Sequence, residues 1–192
     1  MREAIGLEKL VLYGNSIGGA AAILFADKHA NKVRALILSN PGGLAPVDGF
    51  ARFAIGWMVA FFRAGMAQRW WFTPAFKLYY NRVLLCDAAS EQRQRIIDAR
   101  FEIAKLLVEA WTSFRMPSAD IRAVAGRLTV PVLYAWAIKD QVIPLQKSQS
   151  TVNATPNHEL ITFSAGHMPA LETPEPFATA FRSFLRKRSN VD

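Results

Sequence analysis

Short apolar runs and longer amphipathic stretches alternate along the chain, and this alternation predicts strands and helices in turn. Three apolar, β-branched runs, residues 9–13, 33–38 and 130–136, predict buried strands of a parallel sheet. A fourth segment, 158–163, alternates apolar and polar residues and is predicted to lie at an edge of that sheet. Strands that alternate with helices indicate an α/β fold with right-handed crossovers.

Two helices are predicted to flank this sheet. Residues 17–29 are rich in alanine and follow the first strand directly. Residues 175–188 place four large apolar side chains on one helical face, which predicts that this face packs inward: Phe177, Phe181, Phe184 and Leu185.

The segment 44–127 interrupts the alternation, because it is helical in character, rich in aromatic residues and without a good strand pattern. Within it, residues 91–111 predict a single amphipathic helix with these positions inward: Ile96, Ile97, Phe101, Ala104, Leu107 and Val108. We interpret 44–127 as a helical cap inserted between the core segments 1–43 and 128–192.

Composition limits the classes of protein that the chain can belong to. Its 192 residues, 52% hydrophobic and 20% charged, are enough for one globular domain with an insertion. The net charge is +8, but the basic residues are scattered, without a phosphate-binding loop, zinc-ligand spacing or RNA-binding motif. We therefore expect no nucleic-acid partner, and neither a metal nor an organic cofactor.

Two features bear on localisation. Cys86 is the only cysteine, which excludes an internal disulfide. Residues 1–6 lack the basic-then-apolar order of a secretory signal. From these two observations we expect a cytoplasmic protein. The apolar run 53–62, closed by Arg52 and Arg63, is too short to cross roughly 30 Å of hydrocarbon. Membrane insertion is therefore not expected, although binding of this run to a membrane surface stays open.

The first strand runs into Gly14-Asn15-Ser16-Ile17-Gly18, a G-x-S-x-G pattern at a predicted strand-to-helix turn. Such a turn holds the serine in a strained backbone conformation, and side chains two residues before or after it would collide, which accounts for the glycines. A serine held this way can attack a carbonyl carbon once a base takes its proton. The N–H of Ile17, at the start of the helix, can point at a developing oxyanion.

Three histidines could supply the base. His29 ends a helix among polar residues and His158 begins the edge strand, so both are expected to face solvent. His167 instead lies in a loop that follows the strand 158–163. We assign His167 as the base, with a structural loop histidine as the alternative.

The imidazole needs a carboxylate that fixes its tautomer and stabilises the imidazolium. Asp140 comes just after the buried strand 130–136 and before a turn that leads into a helix, so it is the candidate acid. The alternative for Asp140 is an aspartate that only caps this turn. Asp48, in the loop after the second strand, is a rival acid, but it lies where the cap has already begun.

Several stretches in order resemble the α/β-hydrolase family over essentially the whole chain: GNSIGG, LILSNPGG, the aromatic cap, YAWAIKDQVIP and FSAGHMPALETPEPFATAFRSFL. The order Ser16, Asp140, His167 is that family's order of nucleophile, acid and base. The resemblance implies a serine hydrolase in which Ser16 attacks a carbonyl, His167 carries the proton and Asp140 orients His167. The cap aromatics would make the pocket apolar, so a small hydrophobic substrate is expected.

GNSIGG and NPGGL are similar to the meta-cleavage product hydrolases, which split carbon–carbon bonds in vinylogous diketones. In such an enzyme Arg100 would hold a substrate carboxylate, and a solvated helix arginine is the alternative. Met168 stands where those enzymes usually carry an aromatic residue, and Ala137 replaces the glycine common after the acid-strand tryptophan, here Trp136. A carboxylesterase or related acyl hydrolase is therefore equally admissible. We expect Asn15, Arg100, Trp136 and Met168 to contact substrate.

In that family the serine strand is the fifth, whereas only residues 2–7 precede it here, and these resemble the last turn of a helix capped by Gly6. The resemblance implies an absent N-terminal part, which also carries the loop that donates the second oxyanion N–H. The strand at Leu10 to Tyr13 would then be an exposed apolar edge, open to pairing in a homodimer or with a separate N-terminal half. An inactive hydrolase fragment that acts only by binding is the non-catalytic alternative.

Overall fold

The computed structural model describes residues 9–189, so the predicted helical turn at 2–7, with its cap Gly6, lies outside the described residues. Within this range the chain forms a four-stranded sheet in the order β1-β2-β3-β4, with every pairing parallel. The predicted α/β class is confirmed, and each predicted strand is present with its ends shifted by three residues or fewer. The strands are β1 Leu10–Asn15, β2 Val33–Ser39, β3 Val132–Ala137 and β4 His158–Phe163.

Nine helices accompany the sheet in the described part of the chain. The alanine-rich helix after β1 and the C-terminal amphipathic helix are both present as predicted. In chain order the helices are α1 Ile17–Lys28, α2 Gly49–Met66, α3 Phe72–Val83, α4 Ser90–Asp98, α5 Arg100–Ser113, α6 Arg122–Ala125, α7 Leu145–Ala154, α8 Pro169–Glu172 and α9 Pro174–Ser189.

Helices cover both faces of the sheet, which is why β2 and β3 read as continuous apolar runs in the sequence. On one face Leu36, Tyr134 and Trp136 pack with residues of α1, α6 and α7. On the other face α9 packs against the sheet, with the predicted apolar side inward and Phe184 completely buried. The described sheet therefore has a buried centre and two edges, formed by β1 and β4.

The helices α2 to α5, which we call the cap, share a separate aromatic core in which Phe62, Phe72 and Phe76 are completely buried. The inward positions predicted for residues 91–111 all belong to this core. The prediction of one helix over that range is wrong, because α4 ends at Asp98 and α5 begins at Arg100. The break leaves carbonyl groups without helical partners, and the Arg100 side chain donates to two of them, those of Ile97 and Asp98.

Not all of the predicted cap range 44–127 packs with this aromatic core. Leu44, Ile121 and Ala125 lie instead in the core beneath the sheet, together with residues of β2 and β3. Of the helices formed by residues 9–189, none combines the length and the apolar character that a membrane span requires.

The strand β1 lies at one edge of the described sheet. Leu10, Val11 and Leu12 are half-buried, and Tyr13 keeps 46% of its surface exposed. Pairing of this edge with a second copy or with a separate N-terminal half stays a prediction.

Candidate active site

The candidate residues converge at one end of the sheet. Ser16 follows β1 directly, Asn40 follows β2, Asp140 comes three residues after β3, and His167 comes four residues after β4. Since all four strands are parallel, their carboxyl ends meet at the same edge, which is where open α/β sheets bind ligands.

Ser16 sits at a sharp turn between β1 and α1, with φ 53° and ψ −120°, a strained conformation for a residue with a side chain. Its backbone is fixed on both sides, because its N–H donates to the Ser39 carbonyl at 3.0 Å and its carbonyl accepts from Gly42 N at 3.0 Å. A Cβ at Gly14 would lie 2.5 Å from the carbonyl oxygen of Gly18, which confirms the need for glycine there.

Gly18, the second glycine of the motif, lies in a different environment from Gly14. A Cβ at Gly18 would meet no described atom within 4 Å. The expectation that a side chain at this position would collide is therefore wrong for the described residues, because α1 turns Gly18 away from the elbow and into open space.

Asp140 and His167 are in direct contact. The imidazole Nδ1 lies 2.8 Å from Asp140 Oδ2, and the residue Asp140 is only 5% exposed. The other carboxylate oxygen accepts from the N–H of Val142 at 2.7 Å, so Asp140 also caps the turn after β3. Asp140 therefore contacts His167 through one oxygen and caps the turn through the other, and its role as the catalytic acid stays a prediction.

Asn40 is a buried partner of this pair that the sequence interpretation missed. Its Nδ2 donates to Asp140 Oδ2 at 2.5 Å and its Oδ1 accepts from the N–H of Ala137 at 3.0 Å. The residue has φ 42°, a region where asparagine is among the few side chains tolerated. An asparagine directly after a buried strand, followed by Pro-Gly-Gly, was the signal available in the sequence.

The serine elbow and the histidine loop are joined by Asn15. In either orientation of its amide, the nitrogen donates to the carbonyl of His167. Among the described residues, no hydrogen bond links the Ser16 hydroxyl to the imidazole. Catalytic hydrogen bonds of this kind are often long without substrate and shorten when it binds.

The cap reaches the same region through Tyr79 of α3. Burial raises the pKa of its phenol, and the neighbouring Tyr80 and Asp140 raise this pKa further. The Asp140 carboxylate is therefore within electrostatic range of a cap side chain, one that the sequence interpretation did not single out. Val142 and Met168, which lie close in sequence to Asp140 and His167, also pack against the aromatic core of the cap, so the cap contacts this end of the sheet.

The arrangement of elements and residues agrees with the comparisons to known proteins. The family described as serine aminopeptidase, S33, matches residues 1–172. The chain belongs to this family of α/β-hydrolases. This membership confirms the resemblance that the motifs indicated.

Three similar proteins illustrate which members of the family this chain resembles. The 2-hydroxy-6-oxo-6-phenylhexa-2,4-dienoate hydrolase of Comamonas testosteroni is 24% identical over 98% of this chain and 66% of its own length. The pimeloyl-[acyl-carrier protein] methyl ester esterase of Neisseria meningitidis serogroup B (strain H44/76) is 29% identical over 91% of this chain and 68% of its own. The solved dienoate hydrolase BphD of Rhodococcus sp. strain RHA1 superimposes with a TM-score of 0.76 at 22% identity, covering 96% of this chain and 66% of that one. The chain thus spans about two thirds of the length of the curated relatives it matches.

The residues expected to contact substrate in this α/β-hydrolase lie in different environments. Trp136 is completely buried beneath the sheet, where its indole N–H donates to the Ile143 carbonyl, so the expectation that it contacts substrate is corrected. The expectation fails because Trp136 lies within β3, where its side chain points into the core and not toward the carboxyl end of the strand. Met168 is half-buried beside His167 and packs against the cap core, so its contact with substrate stays a prediction.

Arg100 lies within the cap of this hydrolase. Its Nε donates to Thr73 Oγ1 at 2.8 Å, and its guanidinium stacks 4.5 Å from the centre of the Phe101 ring. The side chain is half-buried and bonds within the cap, which leaves the alternative of a helix arginine without a substrate role open. A role for Arg100 in holding a substrate carboxylate stays a prediction.

The alternative acid and the other two histidines make different contacts in the structure. Asp48 caps the N-terminus of α2 by accepting from Ala51 N at 2.7 Å. His29 ends α1 and its ring contacts that of Phe25, while Nδ1 of the half-buried His158 lies 2.6 Å from the Thr155 carbonyl oxygen. His167 is the histidine that contacts a carboxylate among the described residues.

Proposed function

We propose that this chain carries the nucleophile, acid and base of a serine hydrolase that cleaves an ester or related carbonyl bond of a small hydrophobic substrate. The observation that carries the proposal is the hydrogen bond between Asp140 and His167, formed at the same end of the sheet as the strained elbow of Ser16. The esterase from Neisseria meningitidis among the relatives supports the type of bond.

In the proposed mechanism, the Ser16 hydroxyl attacks the substrate carbonyl carbon while His167 Nε2 takes its proton. The Asp140 carboxylate accepts the Nδ1 proton, which holds the imidazole in the required tautomer and stabilises the imidazolium. The Ile17 N–H, at the first position of α1, stabilises the oxyanion with the positive end of the helix dipole. His167 then returns its proton to the leaving group, and water releases the acyl group from Ser16.

The aromatic side chains of the cap support the proposal of an apolar substrate. The core of the cap is rich in phenylalanine, tyrosine and tryptophan rings, and it packs against Val142 and Met168, which lie close in sequence to Asp140 and His167. A pocket roofed by such side chains favours apolar acyl groups.

Hydrolysis of short p-nitrophenyl esters tests the proposal. We expect turnover by the wild-type chain and a loss of at least about 10³-fold in Ser16→Ala and in Asp140→Asn. The matched control is Asp48→Asn, which makes the same chemical change at the rival acid and keeps a helix-capping residue, so its turnover should equal that of the wild type. Equal losses at Asp48 and Asp140, or no loss at Ser16, would contradict the assignment.

Cleavage of a carbon–carbon bond is the second candidate reaction. It is favoured by the dienoate hydrolases of Comamonas testosteroni and Rhodococcus among the similar proteins. Turnover of a vinylogous diketone that exceeds turnover of the esters, and that falls in Arg100→Gln but not in Arg95→Gln, would favour this reaction over ester hydrolysis. A folded chain that binds such compounds without turning over any of them would indicate a non-catalytic fragment.

A further inference from the structure

Glu172, the last residue of α8, carries a buried carboxylate and is only 3% exposed. Its oxygens accept four backbone N–H groups. Oε2 accepts from Leu85 at 2.7 Å, Cys86 at 3.1 Å and Gly166 at 3.0 Å, and Oε1 accepts from Met168 at 3.0 Å. A carboxylate offers about four acceptor positions, and backbone N–H groups contact both of its oxygens here, three of them at Oε2 and one at Oε1.

These four N–H groups belong to two segments that are far apart in sequence. Gly166 and Met168 flank His167, whereas the other two lie in residues 83–86, which we call the connector because they link α3 to the turn before α4. The two segments also meet directly, since the N–H of His167 donates to the Val83 carbonyl at 2.7 Å. A Cβ at Gly166 would lie 2.3 Å from that same oxygen, so the close approach requires glycine.

The connector is fixed to the cap from its other side. The guanidinium of Arg93, in α4, donates to the carbonyl of Leu84. Met168 and Leu171, on the His167 side, pack against the aromatic core of the cap. The backbone around His167 therefore rests on the cap as well as on the sheet.

We infer that Glu172 is a positioning residue that fixes the His167 backbone against the connector, so that the imidazole keeps its contact with Asp140. The inference rests on the proposed function for its effect on catalysis, but the contacts that carry it are independent of any substrate. His167 lies in a loop outside the regular elements, and the Glu172 carboxylate accepts hydrogen bonds from the backbone N–H groups of the residues on both sides of it.

Substitution of Glu172 has a specific chemical consequence. In Glu172→Gln the amide keeps one acceptor oxygen and presents N–H donors to backbone N–H groups, which leaves buried donors without partners. In Glu172→Asp both oxygens remain, but the carboxylate is one methylene shorter and reaches fewer of the four groups. The exposed Glu175, three residues later, provides Glu175→Gln as a control with the same change of charge.

Two measurements on the full chain test the inference. The first is the NMR signal of the His167 imidazole nitrogens, with His29 and His158 as internal controls. The second is inactivation by a fluorophosphonate, resolved into a maximal rate and a half-saturating concentration. We expect Glu172→Gln to move the His167 signal more than the other two histidine signals, and to lower the maximal rate about tenfold or more with the half-saturating concentration little changed. Glu172→Asp should recover part of the rate, and Glu175→Gln should match the wild type.

The outcomes separate the positioning role from a purely structural one. A folded Glu172→Gln chain with an unmoved His167 signal and an unchanged maximal rate would overturn the inference, even if its melting temperature fell. If the wild type is not inactivated at all, the proposed function fails, and the His167 signal alone decides the inference. If Glu172→Gln does not fold, the same two measurements on Glu172→Asp decide it, with a smaller change in the same direction expected and no change contradicting it.

Discussion

Two residues with special local structure lie at the same end of the sheet: Ser16 has a strained backbone, and Asp140 makes buried hydrogen bonds. The positions of Ser16, Asp140 and His167 after the strands β1, β3 and β4 could be predicted, because each lies in a local pattern that follows a strand. Asn40 also follows a strand, but its contact with Asp140 could not be predicted, because the two residues lie 100 positions apart, and the contact of Glu172 with Cys86 spans 86 positions. Short patterns carry no information about such pairs until the fold brings them together.

The two glycines of the serine elbow provide a matched pair of substitutions. Gly14→Ala should destabilise the chain by about 1–3 kcal/mol or more, because its Cβ would overlap backbone atoms of Gly18 and Gly19 that cannot move independently. Gly18→Ala should be neutral or stabilising by up to about 1 kcal/mol, since its Cβ meets open space and alanine favours helix. Urea unfolding of both variants checks this, and equal effects would contradict the described elbow.

At the scale of elements, the strands and the helices on the sheet were predictable from periodicity, whereas the division of residues 90–113 was not. An unbroken amphipathic pattern runs through both α4 and α5, and the break at Ala99 depends on how Arg100 caps the freed carbonyls and contacts Thr73 of another helix. Tertiary contacts of this kind override the local helical preference. The positions that face inward were nevertheless predicted correctly, since all of them pack in the aromatic core of the cap.

Phe184 is the most deeply buried of the α9 side chains that pack against the sheet. Phe184 is completely buried against Ala35, Ile37 and Leu133, so Phe184→Ala should lower the free energy of unfolding by about 3–5 kcal/mol. Phe181, on the same helical face, is only half-buried, and Phe181→Ala should cost clearly less. Thermal and urea unfolding measure both, and a larger loss at position 181 would show that α9 is seated differently.

At the scale of the whole molecule, two cores are stacked: an aliphatic and aromatic core around the sheet and an aromatic core in the cap. The hydrogen bonds of Glu172 and the connector join them at the His167 loop. The sequence predicted a cap and a core as separate segments, but not the place where they are joined, because the side chains at that junction bond to backbone groups, which leave no pattern in the sequence.

The four tyrosines make this architecture sensitive to alkali. Burial raises the pKa of Tyr134 to about 12, and it raises the pKa values of Tyr13, Tyr79 and Tyr80 above 10.0 as well. The unfolded chain loses these protons near pH 10, so stability present below that pH should be lost as the pH rises from 10.0 through about 12. Tyrosinate absorbance and circular dichroism should change together, and full ionisation near pH 10 in a folded chain would contradict the burial described.

The central claim is that Ser16 is a nucleophile activated by His167 and Asp140, and covalent labelling by a fluorophosphonate, measured by intact mass, tests it most directly. We predict one adduct per folded wild-type chain, none in Ser16→Ala, and greatly slowed labelling in His167→Gln, because the serine proton then has no acceptor. A folded wild-type chain that stays unlabelled, or a Ser16→Ala chain that labels as fast as the wild type, would contradict the claim.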